Sequence, residues 1–414
     1  MSDGPLRITS LTDFSDPMIG GLERHVRALA GELRRRGHEM TIISLASPGQ
    51  EGMEVTEDGV QIHRVTGLAQ RLLRPFYALE HRPFHPTLPD PLVVRRLDEL
   101  SRERDFDIVL AHSWILHSYL PIKTRHRAKL IAYLHDYGLI CARKTFHHLG
   151  RELCTGPALG KCLHCAPGQY GTIRGTALTS GLFLDSRMYG RLDRLIANSE
   201  SVARAMRTHP RASHHQRVTV IPPFLDAATV AGPLPRPEFL GDRDPVVLFV
   251  GALAEHKGLF VLLDAWSRLD PRPGLVLVGT RQVDTPATFP EGVTVIENLD
   301  HDCVMAAHQH ATVTVVPSVW PEPFGKVAVE AMSLGGTVVA SDTGGLGEII
   351  ENGVSGLLVP PGDVEALRAA LAEALADPEL RERLGASARV RADDFTVQRA
   401  VDRHEALYRE ALAE

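Results

Sequence analysis

Short strands rich in branched apolar residues alternate with amphipathic helices through both halves of this 414-residue chain. We predict helices over 21–36 and 200–207 in the first half, and a second alternation that begins at Val246. The predicted strands of the first half span residues 6–10, 40–45, 107–111, 129–134 and 193–197. Such alternation is typical of an α/β fold in which helices cover a doubly wound parallel sheet.

A stretch that is rich in proline and lacks periodicity separates the two halves, and we interpret residues 223–245 as a linker. The prediction is therefore a first Rossmann-like domain over residues 1–222 and a second over 246–396. A further helix is predicted at about 397–414.

The composition is that of an ordinary globular protein, with 44% hydrophobic and 23% charged residues. A net charge of −6 gives no electrostatic case for nucleic-acid binding. The sequence has no apolar run long enough to span a membrane, and the first residues lack the features of a signal peptide, so we expect a cytoplasmic protein. Arginines on the helix over 21–36 form either a solvated face or a peripheral membrane contact.

Two carboxylates, Glu322 and Glu330, stand seven residues apart across a Pro/Gly turn. The turn follows a predicted buried strand over residues 311–317 and opens a helix predicted over 326–334. A turn between a buried strand and a helix N-terminus is a favourable anion site. Glu330 lies about one helical turn in, so its side chain can point back toward the same crevice.

The block from Pro317 to Pro361 carries the pattern PS-x-W-x-EPFG-x-x-x-x-EAM-x-x-G, followed by GG-L-x-E-I-I and NG-x-x-G-L-L-V-PPGD. It resembles the donor-binding half of retaining GT-B glycosyltransferases of glycosyltransferase family 4. Further elements match upstream in the family's order, namely Gly20-Gly21, His135-Asp136, Val250-Gly251, Lys257-Gly258 and Val278-Gly279. The resemblance implies a GT-B fold, in which two doubly wound Rossmann-like domains face each other across a cleft and the last helix returns to the first domain.

The resemblance also implies roles on the donor side. Glu322 would hydrogen-bond the sugar hydroxyls, and Glu330 would bind the two ribose hydroxyls of the nucleotide. The amides of Phe324, Gly325 and Lys326 would bind phosphate or sugar oxygens. Neither glutamate would be a general base, because retention is attributed to front-face departure of the leaving phosphate.

The loop that begins at Gly251 departs from the family's pattern. The family has Gly-Arg-Leu, three residues, then Lys-Gly, and its Arg and Lys hold the diphosphate leaving group. Here Lys257 is present, but Ala252 stands where the arginine is expected. Arg281 and Lys326 are the candidate substitutes; otherwise the leaving group is bound differently or the activity is weakened.

Two elements of the first half complete the predicted site. Gly20 and Gly21 open a helix, and glycines there let backbone amides approach a phosphate closely. By resemblance, this loop would meet the distal phosphate of the donor and the acceptor. His135 ends the strand over 129–134, and by resemblance it would contact the transferred sugar, while its carbonyl would stabilise the positive anomeric carbon.

Four of the five cysteines, Cys141, Cys154, Cys162 and Cys165, fall in a loop-rich insertion at about 141–170. In a cytoplasmic protein this grouping favours a structural zinc site with four thiolate ligands. Free redox-labile thiols and disulfides are the alternatives. The glycosyl transfer that the resemblance implies requires no cofactor.

We therefore predict a retaining glycosyltransferase that moves a sugar from a UDP- or GDP-linked donor to an acceptor that the sequence does not identify. One alternative is a nucleotide-sugar epimerase or hydrolase of similar fold. The other is a sugar-nucleotide-binding protein whose catalysis is impaired, which Ala252 favours and which Glu322 and Lys257 oppose.

Overall fold

The computed structural model describes residues 4–14, 20–47, 49–72, 78–79, 82–209, 217–225, 232–241 and 244–414. The chain divides into two compact units. Unit 1 comprises Met1–Pro222 and Val397–Glu414, and unit 2 comprises Pro223–Thr396.

The strands of the described residues are β1 Arg7–Thr12, β2 Glu39–Leu45, β3 Gly52–Val55, β4 Gln61–Val65, β5 Ala78–Leu79, β6 Arg82–Pro83, β7 Ile108–Ala111, β8 Lys129–Leu134, β9 His147–His148, β10 Glu152–Leu153, β11 Arg194–Ala197, β12 Val218–Val220, β13 Val246–Val250, β14 Gly274–Val278, β15 Val293–Ile296, β16 Val313–Val316, β17 Val338–Ser341 and β18 Leu357–Val359. The helices are α1 Gly21–Arg35, α2 Leu68–Leu72, α3 Pro91–Arg104, α4 Leu116–Tyr119, α5 Leu159–Cys165, α6 Pro167–Tyr170, α7 Thr172–Asp185, α8 Glu200–Arg207, α9 Leu259–Ser267, α10 His301–His310, α11 Lys326–Ser333, α12 Leu346–Ile349, α13 Val364–Ala376, α14 Pro378–Ala392 and α15 Val397–Ala413.

Unit 1 is built on a sheet whose described strands follow the order β12-β11-β8-β7-β1-β2-β4-β3. Every neighbouring pair is parallel except the edge strand β3, which runs antiparallel to β4. The strand order reverses between β1 and β7, and in such sheets ligands bind beyond the carboxyl ends of the strands at the reversal. Those two ends are followed by Asp13 and His112.

Unit 2 is built on a parallel sheet of order β15-β14-β13-β16-β17-β18. Its inner strands β13, β14, β16 and β17 are buried on both faces, as their mostly apolar sequences require, whereas the edge strand β15 is half-buried. The order reverses between β13 and β16. The loops that leave these two strands begin at Gly251 and Pro317, so the reversal brings together the segments that contain Lys257 and Glu322.

The prediction of doubly wound parallel sheets is confirmed, and the predicted strands and helices match β1, β2, β7, β8, β11, α1, α8 and α15 within about two residues. The edge strand β3 was not predicted, because its residues are exposed and carry no alternating pattern of apolar side chains.

The terminal helix α15 packs in unit 1, far in sequence from its neighbours. The Arg36 guanidinium bonds to Asp402 Oδ1 at 2.6 Å and to Glu405 Oε2 at 2.8 Å, and His38 Nε2 lies 2.8 Å from Glu405 Oε1. Val401, His404 and Tyr408 are fully buried on the apolar face of α15.

Candidate functional site

The most strongly held polar group of unit 2 is the carboxylate of Glu322, in the loop after β16. Lys257 Nζ lies 2.9 Å from its Oε1 and 2.8 Å from its Oε2. Lys257 ends a 3-10 turn, Glu255–Lys257, in the loop after β13. Two residues that are 65 positions apart in sequence are therefore paired at the reversal of strand order.

Two further donors fix the Glu322 carboxylate. Ser318 Oγ and Trp320 Nε1 each donate to Oε2 at 2.9 Å. Burial alone would raise the pKa of Glu322, but the Lys257 charge and these hydrogen bonds outweigh it, so the pKa lies below its usual value. Glu322 is therefore ionised at neutral pH and is oriented before any ligand binds.

Trp320 also supports the cation. Lys257 Nζ lies 4.8 Å from the centroid of the Trp320 ring, and the His256 ring meets Trp320 edge-on at 5.3 Å. An ammonium over an indole face is attracted by the ring quadrupole. The ion pair thus lies against an aromatic wall.

A close backbone approach brings the two loops together. Gly258 has φ +79° and follows Lys257; a Cβ at this position would come within 1.8 Å of the Pro317 carbonyl oxygen. Only glycine combines this conformation with so little space. The contact sets the separation of Lys257 and Glu322.

Glu330 belongs to a second cluster. Its carboxylate is buried, and Oε1 lies 3.8 Å from His301 Nε2 and 3.9 Å from Lys326 Nζ. His301 is the first residue of α10. Glu322 and Glu330 therefore have different partners, although Glu322 lies in the loop that joins β16 to α11 and Glu330 lies in α11 itself.

The N-terminus of α11 has the geometry expected of an anion site. Gly325 precedes Lys326 with φ +107°, and a Cβ on it would come within 2.5 Å of Leu346 Cδ2. Phe324 is buried against Phe395, with ring centroids 5.5 Å apart. The first-turn amides of a helix have no intrahelical acceptor, so this end can take an anionic oxygen.

Arg281, a predicted substitute for the missing arginine, lies beside the loop in question but points to other partners. Its backbone pairs with Leu253, next to Ala252. Its side chain bonds through Nε to Glu297 Oε1 at 3.1 Å and through Nη1 to the Pro286 carbonyl at 3.0 Å. Lys326, the other substitute, approaches Glu330 instead.

In unit 1, Gly20 and Gly21 start α1 as predicted; residues 15–19, which precede them, lie outside the described residues. The Gly20 amide donates to Glu23 Oε2 at 2.7 Å. A carboxylate of the helix itself thus occupies the first amide that was predicted to meet phosphate, and phosphate could bind there only by displacing it.

His135 lies within a cluster of five rings, which we call the histidine cluster: His25, His112, Tyr133, His135 and His404. His112 Nδ1 lies 2.8 Å from His135 Nε2. The Tyr133 ring is stacked on His135 at 4.1 Å, and His25 meets His135 edge-on at 5.0 Å. His404, from α15, lies 5.5 Å from Tyr133.

Three histidines of the cluster, His112, His135 and His404, are uncharged at neutral pH. Burial lowers the pKa of His135 to about 3 and that of His404 to about 4, and it lowers the pKa of His112 well below its usual value. The neighbouring imidazoles act in the same direction on His112 and His135. His135 and His112 line a cavity of about 50 Å³ together with Trp114, Asp136 and Lys144.

The His135 carbonyl, predicted to face the anomeric carbon, accepts a hydrogen bond from Asn198 Nδ2 at 3.0 Å. The next residue, Ser199, caps α8 by accepting from the Val202 amide. A carbonyl oxygen has two lone pairs, so one remains for a ligand.

The four cysteines of the insertion line one pocket. Cys141, Cys154, Cys162 and Cys165 share it with Arg143 and Lys161, and all four are free thiols. Burial raises the pKa of Cys141 to about 11 and also raises that of Cys162. The β9–β10 hairpin and α5 bring these residues together.

Within the described ranges, no three His, Cys, Asp or Glu side chains are arranged to hold a metal ion. Lys161 Nζ instead approaches Cys154 Sγ at 3.4 Å, and the Leu149 amide donates to Cys165 Sγ at 3.2 Å. The structure therefore gives the predicted zinc site no support.

Part of the basic face of α1 is paired with carboxylates of unit 1. Arg27 pairs with Asp58 at 2.7 Å, and Arg36 pairs with Asp402 and Glu405. This favours a structural role over membrane contact. Across the described part of the chain, no helix is both long enough and apolar enough to span a bilayer.

Several residues of these clusters were not predicted. Trp320 and Ser318 stand within the quoted motif but received no role, although an indole N–H two residues before a buried carboxylate is a natural partner for it. His112, His25 and His301 carry no local signal, because the ring and carboxylate partners described above are 21 or more residues away from them in sequence.

Comparison with known proteins places both units in one enzyme class. Residues 19–229 match the family described as Glycosyltransferase Family 4, and residues 234–391 match that described as Glycosyl transferases group 1. The chain is 29% identical to a glycogen synthase of Mycobacterium tuberculosis over 413 residues, an alignment that covers 93% of this chain and 90% of that protein.

Solved structures share the fold. A sucrose-phosphate synthase from Thermosynechococcus elongatus superposes with a TM-score of 0.74 at 21% identity, over 99% of each chain. An Anabaena protein crystallised with UDP and glucose superposes with a TM-score of 0.68 at 20% identity, over 97% of this chain and 99% of that one. The predicted GT-B class, with two Rossmann-like domains, is confirmed.

Proposed function

Because the chain belongs to glycosyltransferase family 4, we propose that it transfers a sugar from a nucleoside diphosphate donor to an acceptor with retention of anomeric configuration. Unit 2 is the donor-binding unit in this proposal. The observation that carries it is the partly buried Lys257–Glu322 pair, in which Ser318 and Trp320 hold the carboxylate at the reversal of strand order.

Lys257 binds the diphosphate leaving group in this proposal. An ammonium has three N–H donors, and the contacts with Glu322 engage the side of the group that faces the carboxylate. The remaining donor is open to a phosphate oxygen, and the charge stabilises the phosphate that leaves as the glycosidic bond breaks. We expect Lys257→Ala to lower turnover more than tenfold.

Glu322 binds the sugar hydroxyls. Lys257 and two hydrogen-bond donors hold its carboxylate, and it retains acceptor capacity on Oε1 for a hydroxyl donor. Glu330, at the start of α11, takes the two ribose hydroxyls, and the amides of Gly325 and Lys326 take a phosphate oxygen. Gly251 allows the loop after β13 to approach the donor.

The proposed step breaks the bond between the anomeric carbon and the phosphate oxygen and forms one to the acceptor oxygen on the same face. The acceptor proton passes to the leaving phosphate. The chemistry needs no metal cofactor, so the zinc predicted for the cysteine pocket would be structural; metal analysis of the purified protein tests it. The soluble donors of such a reaction suit a cytoplasmic location.

Donor binding by calorimetry tests the proposal, with UDP-, GDP- and ADP-sugars titrated into the wild type and into Glu330→Ala. We expect one donor class to bind the wild type and to bind the variant at least tenfold more weakly, since two hydrogen bonds to a charged group are lost. Glu382→Ala, an exposed glutamate of α14, is the matched control and should bind as the wild type does.

Equal donor affinity in Glu330→Ala and the wild type would contradict the assignment of unit 2. The alternatives give different results with the donor that binds. An epimerase or hydrolase converts it without any acceptor, and an impaired binding protein leaves it unchanged with every acceptor tried.

A further inference from the structure

His112 is the unassigned group with the most direct contact to a predicted catalytic residue. It follows β7 as His135 follows β8, and these neighbouring parallel strands place both imidazoles at one edge of the sheet of unit 1. The ring centroids are 5.1 Å apart with planes 28° apart, and His112 Nδ1 lies 2.8 Å from His135 Nε2. This is a direct hydrogen bond between two neutral imidazoles, so one nitrogen donates and the other accepts.

The surroundings of His112 decide the direction of this hydrogen bond. His112 is buried, and its other nitrogen, Nε2, has no hydrogen-bond partner among the described residues. If His135 donated, His112 would carry its proton on Nε2 as a buried N–H without an acceptor. Buried N–H groups without partners are rare and costly. If His112 donates from Nδ1, its Nε2 carries no proton, and no buried N–H group is left without an acceptor.

The consequence falls on the other nitrogen of His135. With Nε2 accepting, the single proton of the neutral ring is on Nδ1. Tyr133 is stacked on the His135 ring at 4.1 Å, and His25 makes a T-shaped contact with it at 5.0 Å. His135 is only partly buried and lines the cavity of about 50 Å³, so Nδ1 is the nitrogen left for a ligand.

We infer that His112 is a positioning residue that fixes His135 in the Nδ1–H tautomer, so that His135 presents a hydrogen-bond donor to an oxygen of the sugar or the acceptor. The inference rests on the proposed function for the identity of that oxygen. His135 therefore acts as a donor to one hydroxyl, and it does not act as a base.

The tautomer can be measured without any substrate, by ¹⁵N NMR of the histidine side chains in the full chain. His135→Gln assigns the His135 signals. We expect the wild type to show the proton on Nδ1 of His135. A proton on Nε2 in the wild type would overturn the inference.

Substitutions of His112 test whether its Nδ1–H group sets the tautomer of His135. His112→Asp replaces the donor with an acceptor, so we expect His135 to shift its proton to Nε2. His112→Asn keeps an N–H near the same position and should retain the Nδ1–H form. His308→Asn, which changes a buried histidine of unit 2, should leave the His135 signals unchanged. An unchanged His135 tautomer in a folded His112→Asp variant would contradict the inference, and the wild-type spectrum decides the matter if that variant does not fold.

Kinetics separate this inference from the proposed function. We expect His112→Asp to lower kcat at least tenfold while the affinity for the donor that binds unit 2 stays within about twofold, since the lost interaction is a hydrogen bond from His135. A protein that binds no donor would contradict the proposed function but leave the NMR result standing. A kcat that is unchanged despite a tautomer shift would show that the His135 donor is not used.

Discussion

Trp320 shows how one side chain supports a neighbouring charge in two ways. Its N–H donates to Glu322, and its ring lies under the Lys257 ammonium. Both halves of the ion pair therefore depend on the same residue. Glu322 stays ionised because these contacts more than offset the effect of burial on its pKa.

We expect Trp320→Phe to lower kcat about tenfold, because the ring remains but the hydrogen bond to Glu322 is lost. Steady-state kinetics with the identified donor measure this. Trp266→Phe is the matched control, since Trp266 is buried and its Nε1 donates only to the Pro273 carbonyl at 2.9 Å. The control should lose stability and keep kcat; a similar kcat for Trp320→Phe and wild type would refute the role.

Single residues also mark the limit of prediction from sequence. The pattern predicts site roles for Lys257, Glu322, Glu330 and His135, because a motif preserves spacing along the chain. It could not identify the Lys257–Glu322 pair, because nothing local in sequence sets a contact across 65 residues. The pairing of Arg281 with Glu297 was likewise not predicted, because it depends on how the loop after β14 folds.

At the scale of elements, the loops after β13 and β16 act as one structure. Gly258 has a left-handed conformation and meets the Pro317 carbonyl, so the two loops touch through their backbones. In the sequence, Gly258 is marked only by its place in the Lys-Gly match to the family. The close approach is a property of neighbouring strands at the reversal of order, which follows from sheet topology and not from the loop sequence.

We expect Gly258→Ala to destabilise unit 2 by about 3 kcal/mol or more, since backbone strain adds to a clash with backbone that cannot move aside. Gly353→Ala is the control, with φ +74° and no atom within 4 Å of the added Cβ. It should cost only the strain, about 1 kcal/mol. Urea unfolding measures both, and equal losses would show that the contact with Pro317 is not needed.

For the whole molecule, buried neutral histidines make stability depend on pH, and they are concentrated in unit 1. The pKa values of His112, His135 and His404 lie well below the ordinary value of about 6.5. The unfolded chain therefore binds protons at mildly acidic pH that the folded unit 1 does not bind. This part of the stability is complete above pH 6.5 and is lost as the pH falls toward the folded values of about 3 to 4.

We expect unit 1 to lose about 1.4 kcal/mol per histidine for each pH unit below 6.5. In unit 2, burial lowers the pKa of His308 to about 3, and Glu322 stays ionised, so the effect there is smaller. Hydrogen exchange at pH 7 and pH 5.5 compares the units in one sample. Intrinsic amide exchange slows as the pH falls, so the quantity compared is the protection factor of each amide. A larger fall in protection in unit 1 at the lower pH is the expected result; an equal or larger fall in unit 2 would contradict it.

The position of α15 has a consequence for synthesis. Unit 1 consists of two stretches of chain with all of unit 2 between them. During translation, the sheet of unit 1 leaves the ribosome first, and the surface that Val401, His404 and Tyr408 later cover stays open while unit 2 is made. At usual elongation rates this takes roughly 10 to 35 seconds. Unit 2 is continuous in sequence and can fold in that interval. Unit 1 is therefore the first unit whose synthesis begins and the last whose folding is completed. Until α15 is made, we expect the uncovered face of the nascent chain to be open to chaperones and proteases.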